Sequence, residues 1–222
     1  MRDRQGYGTQ EQDLAEYAAR SGVRAFKTHF APPLLPFRKD VKYLVPMRSA
    51  ADCALSMYYF LGKHAPEFCA YWGVSFDFND LDQFLDGSYL PSRAWWEHYK
   101  AWWPLRHEPN VLMLHFRDLK EDLEGSIDRI AKFLGVEQTP EQRALAIEHC
   151  TFAWMKANET KVESGLHSRI RAILPGGMVR EGACGSGERA LSAEQLARIE
   201  AVSRLELSPE LHEYSNNGGP LP

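Results

Sequence analysis

The segment from Lys42 to Phe60 constrains the fold and the chemistry of this chain more than any other. It reads KYLVPMRSAADCALSMYYF: a short apolar run at Tyr43 to Val45, a turn that carries Arg48, and a stretch from about Asp52 onward that predicts a helix. The N–H groups and the dipole at the start of a helix favour negative charge. Arg48 can add a bidentate grip on a phosphate, and Ser56 supplies a hydroxyl inside the helix. The sequence therefore predicts an anion site at this turn.

A group that can accept a proton lies upstream of this turn. The stretch from Lys27 to Pro36 reads KTHFAPPLLP, which places His29 beside a proline-rich loop. Imidazole titrates near neutral pH and is a common general base. Histidines at strand ends are otherwise more often structural, and Lys27 can equally be a solvated surface side chain. An anion site and a proton acceptor together are the minimum that group transfer requires.

The order of predicted elements indicates the fold class. Strands are expected near Arg24 to His29, Tyr43 to Pro46 and Asn110 to His115, with helices between and after them, which predicts an α/β fold with a parallel sheet covered by helices. The expected helices are 51–63, 92–103, 120–134, 140–149 and 192–205. The glycine-rich segment 158–187 is expected to be a loop that can close over a ligand, and the last eight residues are expected to fray.

Composition limits the possible classes of protein. The chain has 222 residues, 44% of them hydrophobic, which is enough for one substantial core. A net charge of −4 argues against a broad nucleic-acid surface, and no apolar run is long enough to span a membrane. The four cysteines lack CxxC spacing, so they indicate neither a zinc site nor a disulfide framework. We expect a single cytoplasmic domain of unknown oligomeric state, without a nucleic-acid or membrane partner.

Several blocks resemble the cytosolic-type sulfotransferase family, whose donor is PAPS (3′-phosphoadenylyl sulfate). KTHFAPPLLP resembles its KTHLP segment, and LVPMRSAADCALSMYYF is similar to its strand–Arg–helix segment, RNPKDVAVSYYYF in typical members. SRAWWEHYKAWW, VLMLHFRDLKEDLEGSIDRIAKFLG, HCTFAWMKAN and REGACGSGE resemble later blocks in the same order. The likeness covers about residues 26–192, and several blocks in order are far more specific than one.

The resemblance implies a P-loop-like, three-layer α/β/α fold and a role for each matching residue. His29 and Lys27 fall at catalytic positions, where the histidine deprotonates the acceptor. The positions implied to contact PAPS, or its product PAP, are Arg48, Ser56, Phe116, Thr151, Phe152, Met155, Arg180 and Gly182. The family needs no metal, and its acceptor is a small molecule. The aromatic content leans toward a phenolic or apolar alcohol.

The chain also departs from the family pattern. No PKSGTTW-type loop occurs before the KTH block, and the Gly6–Gly8 pair lacks the lysine and hydroxyl of a phosphate cradle. We therefore expect residues 1–222 to be one N-terminally incomplete sulfotransferase domain without its first β-loop-α unit. Phe116 replaces a tyrosine, Cys150 a threonine, and Glu181 a lysine.

Two functions remain open at this point. The first is sulfuryl transfer from PAPS to a hydroxyl or amine of a small molecule. The second is a catalytically defective or truncated member that binds at most PAP, PAPS or a partner, since the family's loop lysine is missing. A nucleotide kinase is a weaker alternative, because neither its Gly-rich lysine loop nor its acidic metal ligands are apparent in the sequence.

Overall fold

The computed structural model describes residues 25–159, 173–174 and 176–222. Within them, strand β1 (Tyr43–Met47) pairs in parallel with β2 (Val111–His115), with Tyr43 opposite Val111. All five residues of β2 are buried, as its continuous apolar sequence predicts. The α/β class, the parallel pairing and these two strands are confirmed.

Helices surround this strand pair. The start of α1 is capped by Ser49, whose Oγ accepts from the N–H of Asp52 at 3.3 Å. The described helices of the chain are α1 (Ala50–Leu61), α2 (Pro66–Trp72), α3 (Leu81–Phe84), α4 (Leu90–Ser92), α5 (Ala94–Trp102), α6 (Phe116–Glu121), α7 (Leu123–Leu134), α8 (Pro140–Cys150), α9 (Phe152–Ala157), α10 (Ser186–Ala190), α11 (Ala193–Glu206) and α12 (Pro209–Asn217). A π-helical turn, Leu85–Tyr89, joins α3 to α4, and a 3-10 turn, Trp103–Leu105, follows α5.

The tryptophan-rich helix α5 forms the centre of the core. Trp96 is fully buried, and Tyr99 and Trp102 lie on the same buried side of the helix. The indole Nε1–H of Trp96 donates to the Ser203 hydroxyl on α11 at 3.0 Å, so the buried ring keeps a polar partner. Trp96 and Trp102 of this helix therefore belong to the hydrophobic core.

The predicted strand at Arg24 to His29 is wrong for the residues that the structure describes. Residues 25–30 are exposed and form no strand, and Arg24 lies outside the described residues, as does the Gly6–Gly8 pair. A strand needs a neighbour to satisfy its N–H and C=O groups. The described sheet has two strands, and neither of them pairs with this segment.

Two further predictions need correction, one about a helix and one about the C-terminus. The expected helix 120–134 is two helices, because Asp122 leaves the helical conformation and its Oδ1 caps α7 by accepting from the N–H of Gly125 at 2.9 Å. The last residues do not fray. Tyr214 and Ser215 of α12 are buried, and the N–H of Gly219 donates to Asp118 at 3.0 Å.

The described residues contain no helix that is long and apolar enough to cross a membrane. All four cysteines are free thiols. Burial raises the pKa of Cys53 to about 11, so this side chain stays a neutral, apolar filler at neutral pH.

His115 links β2 to the C-terminal helix and generates a prediction about pH. Its Nδ1 accepts from the N–H of Arg117 at 3.2 Å, so Nε2 carries the proton and donates to the carbonyl of Ser215 at 3.0 Å. Burial lowers the pKa of this imidazole below its ordinary value. The unfolded chain then binds the proton more tightly than the folded protein. The free energy of unfolding therefore decreases as pH falls below about 6.5.

We therefore expect His115→Gln to flatten the dependence of the melting temperature on pH between pH 8 and pH 5.5, relative to the wild type. His107→Gln is the control, because that ring bonds only the carbonyl of Pro222 among the described residues. Equal acid sensitivity in the wild type and His115→Gln would contradict this account.

Candidate functional site

A cleft of about 240 Å³ lies between α1, the start of α6, α9 and the loop 177–182. It gathers all but one of the positions that the sequence predicts to contact the donor: Arg48, Ser56, Phe116, Phe152, Met155, Arg180 and Gly182. These residues are spread over more than 130 positions of the sequence, so the fold alone brings them together. The cleft also contains Tyr59, Phe60 and Lys120, which the sequence did not single out, and Cys150, which the sequence shows only as a departure from the family pattern.

Thr151, the exception, is the N-cap of α9. Its Oγ1 accepts from the N–H of Trp154 at 3.2 Å and donates to the carbonyl of Glu148 at 2.7 Å. Its hydroxyl thus serves the local backbone, and Cys150 takes the place beside it in the cleft. Burial raises the pKa of the Cys150 thiol, which keeps it protonated and weakly nucleophilic at neutral pH.

Lys27 and His29 are not part of this cleft. Both side chains are exposed, on the irregular segment that precedes the proline-rich loop. His29 lies close to His98 on α5. The pKa of His98 is lowered mainly by burial and secondly by the charge of His29. The described residues therefore bring the predicted donor-binding side chains together without the predicted catalytic pair.

The guanidinium of Arg48 is held by four contacts. Nε donates to Asp52 at 3.2 Å, while Nη2 donates to the carbonyl of Ala183 at 2.7 Å and to the Ser186 hydroxyl at 3.2 Å. The ring of Phe116 lies below it, with its centroid 4.6 Å from Cζ. Among the described residues Nη1 has no hydrogen-bond partner, so its two hydrogens are the ones available to an anion.

Phe116 therefore has a second role beside the one that the sequence predicts. One face of its ring supports the Arg48 guanidinium, and the ring also lines the cleft. A tyrosine hydroxyl is not needed for this cation–π contact.

Asp52 is the partner that sequence reasoning missed. Its side chain is 4% exposed, and besides Arg48 it accepts from the N–H of Gly185 at 2.9 Å and from the N–H of Gly187 at 2.6 Å. A buried carboxylate requires such partners, because an unpaired buried charge is costly. Its spacing of four from Arg48 was a visible signal for the ion pair. Its contacts with a loop more than 130 residues away were not visible.

Arg180 approaches the cleft from the opposite loop. Its guanidinium lies 4.6 Å from the ring centroid of Tyr59 and contacts the carboxylate of Glu181. The Arg180 side chain is 28% exposed, so this ion pair is partly open to water and weak. The cations of the cleft are Arg48, Lys120 and Arg180.

Close packing fixes the backbone of this loop against the helices. Gly182 has φ of +61°, and a Cβ built there would lie 2.3 Å from the ring of Phe152. A Cβ on Gly187 would lie 2.4 Å from the backbone of Ala51. Both positions require glycine, one for conformation and close approach, the other for close approach alone.

Ser56 lies in α1 and faces the cleft. A helix serine can bond back to the preceding turn, but the Ser56 hydroxyl makes no hydrogen bond with the described residues. The cleft thus combines three cations, the hydroxyls of Ser56 and Tyr59, and several aromatic side chains, which suits an anion attached to a planar ring. Among the described residues no group of histidine, cysteine and acidic side chains could hold a metal ion.

The family model described as "sulfotransferase domain" matches residues 5–214. Sulfotransferase 1E1 of Homo sapiens is 31% identical over 173 residues, which are 73% of this chain and 54% of the relative. Sulfotransferase 1 family member D1 of Rattus norvegicus is 35% identical over 140 residues, 61% of this chain and 45% of the relative. The chain spans about half the length of these curated relatives.

Solved structures agree with the fold. Mouse sulfotransferase SULT7A1 complexed with PAP has a TM-score of 0.70 at 19% identity, covering 95% of this chain and 76% of that one. Retinol dehydratase in a complex with retinol and PAP has a TM-score of 0.64 at 26% identity, covering 90% of this chain and 61% of that one. Since the family match extends over nearly the whole chain, the protein belongs to the sulfotransferase domain family.

Proposed function

We propose that the cleft between α1 and the loop 177–182 binds PAP and PAPS, and that the protein transfers a sulfuryl group from PAPS to a small-molecule acceptor. The observation that carries this proposal is the convergence of Arg48 and Arg180 on one aromatic-walled cleft in a member of the sulfotransferase family. Both structures compared above contain PAP.

The donor would be held by charge at one end and by rings at the other. Arg48 and Arg180, with the hydroxyl of Ser56, would bind the 3′-phosphate, because charge-assisted hydrogen bonds from guanidinium to phosphate are strong. Phe116, Phe152 and Met155 would contact the adenine. Gly182 would offer its N–H to the phosphate, and Thr151, whose neighbours Cys150 and Phe152 line the cleft, would support the site by capping α9.

The proposed reaction is an in-line displacement at sulfur. The acceptor oxygen attacks the sulfur, the bond from sulfur to the bridging oxygen of PAPS breaks, and PAP leaves. His29 would take the acceptor proton, and Lys27 would stabilise negative charge on the departing oxygen. Because the described residues leave this pair outside the cleft, transfer needs an arrangement of residues 27–29 that differs from the exposed one.

The position of Lys27 and His29 outside the cleft favours the second candidate, a family member that binds PAP or PAPS without transferring the sulfuryl group. Lys27 and His29 do not line the Arg48–Arg180 cleft, so nucleotide binding there does not depend on them. Activity separates the two candidates, since binding is common to both.

The acceptor is proposed to be a phenolic or apolar alcohol. One relative, from Cavia porcellus, is named 3-alpha-hydroxysteroid sulfotransferase, and a retinol dehydratase structure contains androsterone. The aromatic side chains around His64, namely Phe60, Phe68 and Phe76, would suit such a molecule. A single domain in the cytoplasm remains part of this proposal.

The arginines provide the test of PAP binding. We expect Arg180→Ala to weaken PAP binding by about tenfold or more, because charge-assisted hydrogen bonds contribute about 1.5–3 kcal/mol. Isothermal titration calorimetry measures the affinity. The ion-pair partner of Arg180, Glu181, is half exposed. Removing Arg180 therefore leaves no buried charge, and the variant should fold.

Arg48→Ala should weaken binding by at least as much, but it also leaves Asp52 buried without its cation, so its melting temperature must be measured too. Arg38→Ala is the control, because Arg38 is a solvated arginine that pairs with Asp40 outside the cleft. If Arg180→Ala and Arg38→Ala bind PAP equally well, Arg180 does not belong to the site.

His29 provides the test of catalysis. His29→Ala should leave PAP affinity within twofold of the wild type, because His29 is exposed and outside the cleft. It should lower transfer of labelled sulfuryl from PAPS to a simple phenol by about 10²-fold or more, the usual contribution of a general base. A wild type that binds PAP but transfers nothing would favour the binding-only candidate.

A further inference from the structure

Lys156 in the last turn of α9 and Glu159, two residues beyond that helix, hold the backbone of the loop that carries Arg180. The carboxylate of Glu159 accepts from the N–H of Met178 and of Val179, each at 2.8 Å, and from the N–H of Gly176 at 2.9 Å. The ammonium of Lys156 donates to the carbonyl of Val179. Together they satisfy four backbone groups in the four residues that precede Arg180.

These contacts differ from ordinary surface ion pairs. A loop backbone that is not part of a helix or sheet must find partners for its N–H and C=O groups elsewhere. Three N–H groups that converge on one carboxylate form an anion cradle, and here an internal side chain occupies it. Burial alone would raise the pKa of Glu159, but the N–H groups of Val179, Gly176 and Met178 lower it below its ordinary value. The carboxylate is therefore ionised, and its hydrogen bonds are charge-assisted.

The flanks of the loop are fixed independently. Before the cradle, the N–H of Leu174 donates to the carbonyl of Lys63 at 2.8 Å. After Arg180, Gly182 packs on the ring of Phe152, and the N–H of Gly185 donates to Asp52. Glu159 and Lys156 hold the residues between these anchors, immediately before the arginine.

We infer that Glu159 and Lys156 are positioning residues, which set the Arg180 guanidinium opposite Arg48 by gripping the backbone of residues 176–179. They touch no ligand in this arrangement, since neither lines the cleft. The inference deepens the proposed function and rests on it, because the ligand held by Arg180 is taken to be PAP.

The first experiment is a double-mutant cycle with PAP as the probe, measured by calorimetry. Glu159→Gln keeps the size of the side chain but removes its charge and turns an amide NH₂ toward the loop N–H groups. We expect it to weaken PAP binding by about five- to tenfold in the wild-type background, and by less than twofold in an Arg180→Ala background. Glu137→Gln, at an exposed glutamate in the turn after α7, is the matched control and should change nothing.

A loss of the same size in both backgrounds would overturn the inference, because Glu159 would then not act through Arg180. An unchanged affinity in Glu159→Gln would also overturn it. A merely structural role predicts a lower melting temperature with no coupling to Arg180, so the coupling is the readout that separates the two.

Hydrogen exchange of the loop amides keeps this test separate from the proposed function. In the wild type the N–H groups of Gly176, Met178 and Val179 should exchange slowly, and in Glu159→Gln they should exchange faster while the amides of α1 are unchanged. If the wild type fails to bind PAP, the proposed function fails. Amide hydrogen exchange then tests by itself whether Glu159 holds the loop backbone. Unprotected amides in the wild type would overturn it.

Discussion

The site depends on the hydrogen bonds made by the buried carboxylate of Asp52. It lies in the first turn of α1 and neutralises Arg48, while the N–H groups of Gly185 and Gly187 complete its hydrogen bonds. A buried ion pair contributes little net stability relative to apolar packing, but breaking it leaves an uncompensated charge. Its effect is therefore geometric. The Asp52 carboxylate contacts the Arg48 guanidinium and the backbone around Gly185 at once, so it ties the orientation of the arginine to the path of a distant segment.

This arrangement preorganises the cleft. Arg48 comes from the end of β1 and is held over Phe116, whereas Arg180 comes from a loop and is held over Tyr59. Each cation thus packs on an aromatic ring, which restricts its rotamers before any anion arrives. Side chains that are already ordered lose less entropy on binding. Asp52 pairs with Arg48 and Glu181 pairs with Arg180, so the two carboxylates reduce the repulsion between the two guanidinium groups.

Local features were predictable from sequence, and long-range ones were not. The strands at Tyr43–Met47 and Val111–His115 follow from their apolar runs, and the capping boxes at Thr139 and Ser192 follow from a hydroxyl with glutamine three residues later. The segment 25–30 has strand-like residues, but strand formation depends on a partner that no local pattern reveals. The set of cleft residues could be predicted only through the family resemblance. The tertiary contacts of Asp52 and Glu159 could not, because their partners are backbone N–H groups, which every residue type except proline provides.

The most direct test of the account is a crystal structure of the protein with PAP bound. In the proposed site Arg48 and Arg180, from two distant parts of the chain, bind one anion. We expect the 3′-phosphate within hydrogen-bond distance of both guanidinium groups, with the adenine between Phe116 and Phe152 and with Asp52 still bonded to the N–H groups of Gly185 and Gly187. A phosphate bound by only one of the two arginines, or a nucleotide bound outside the cleft, would contradict it.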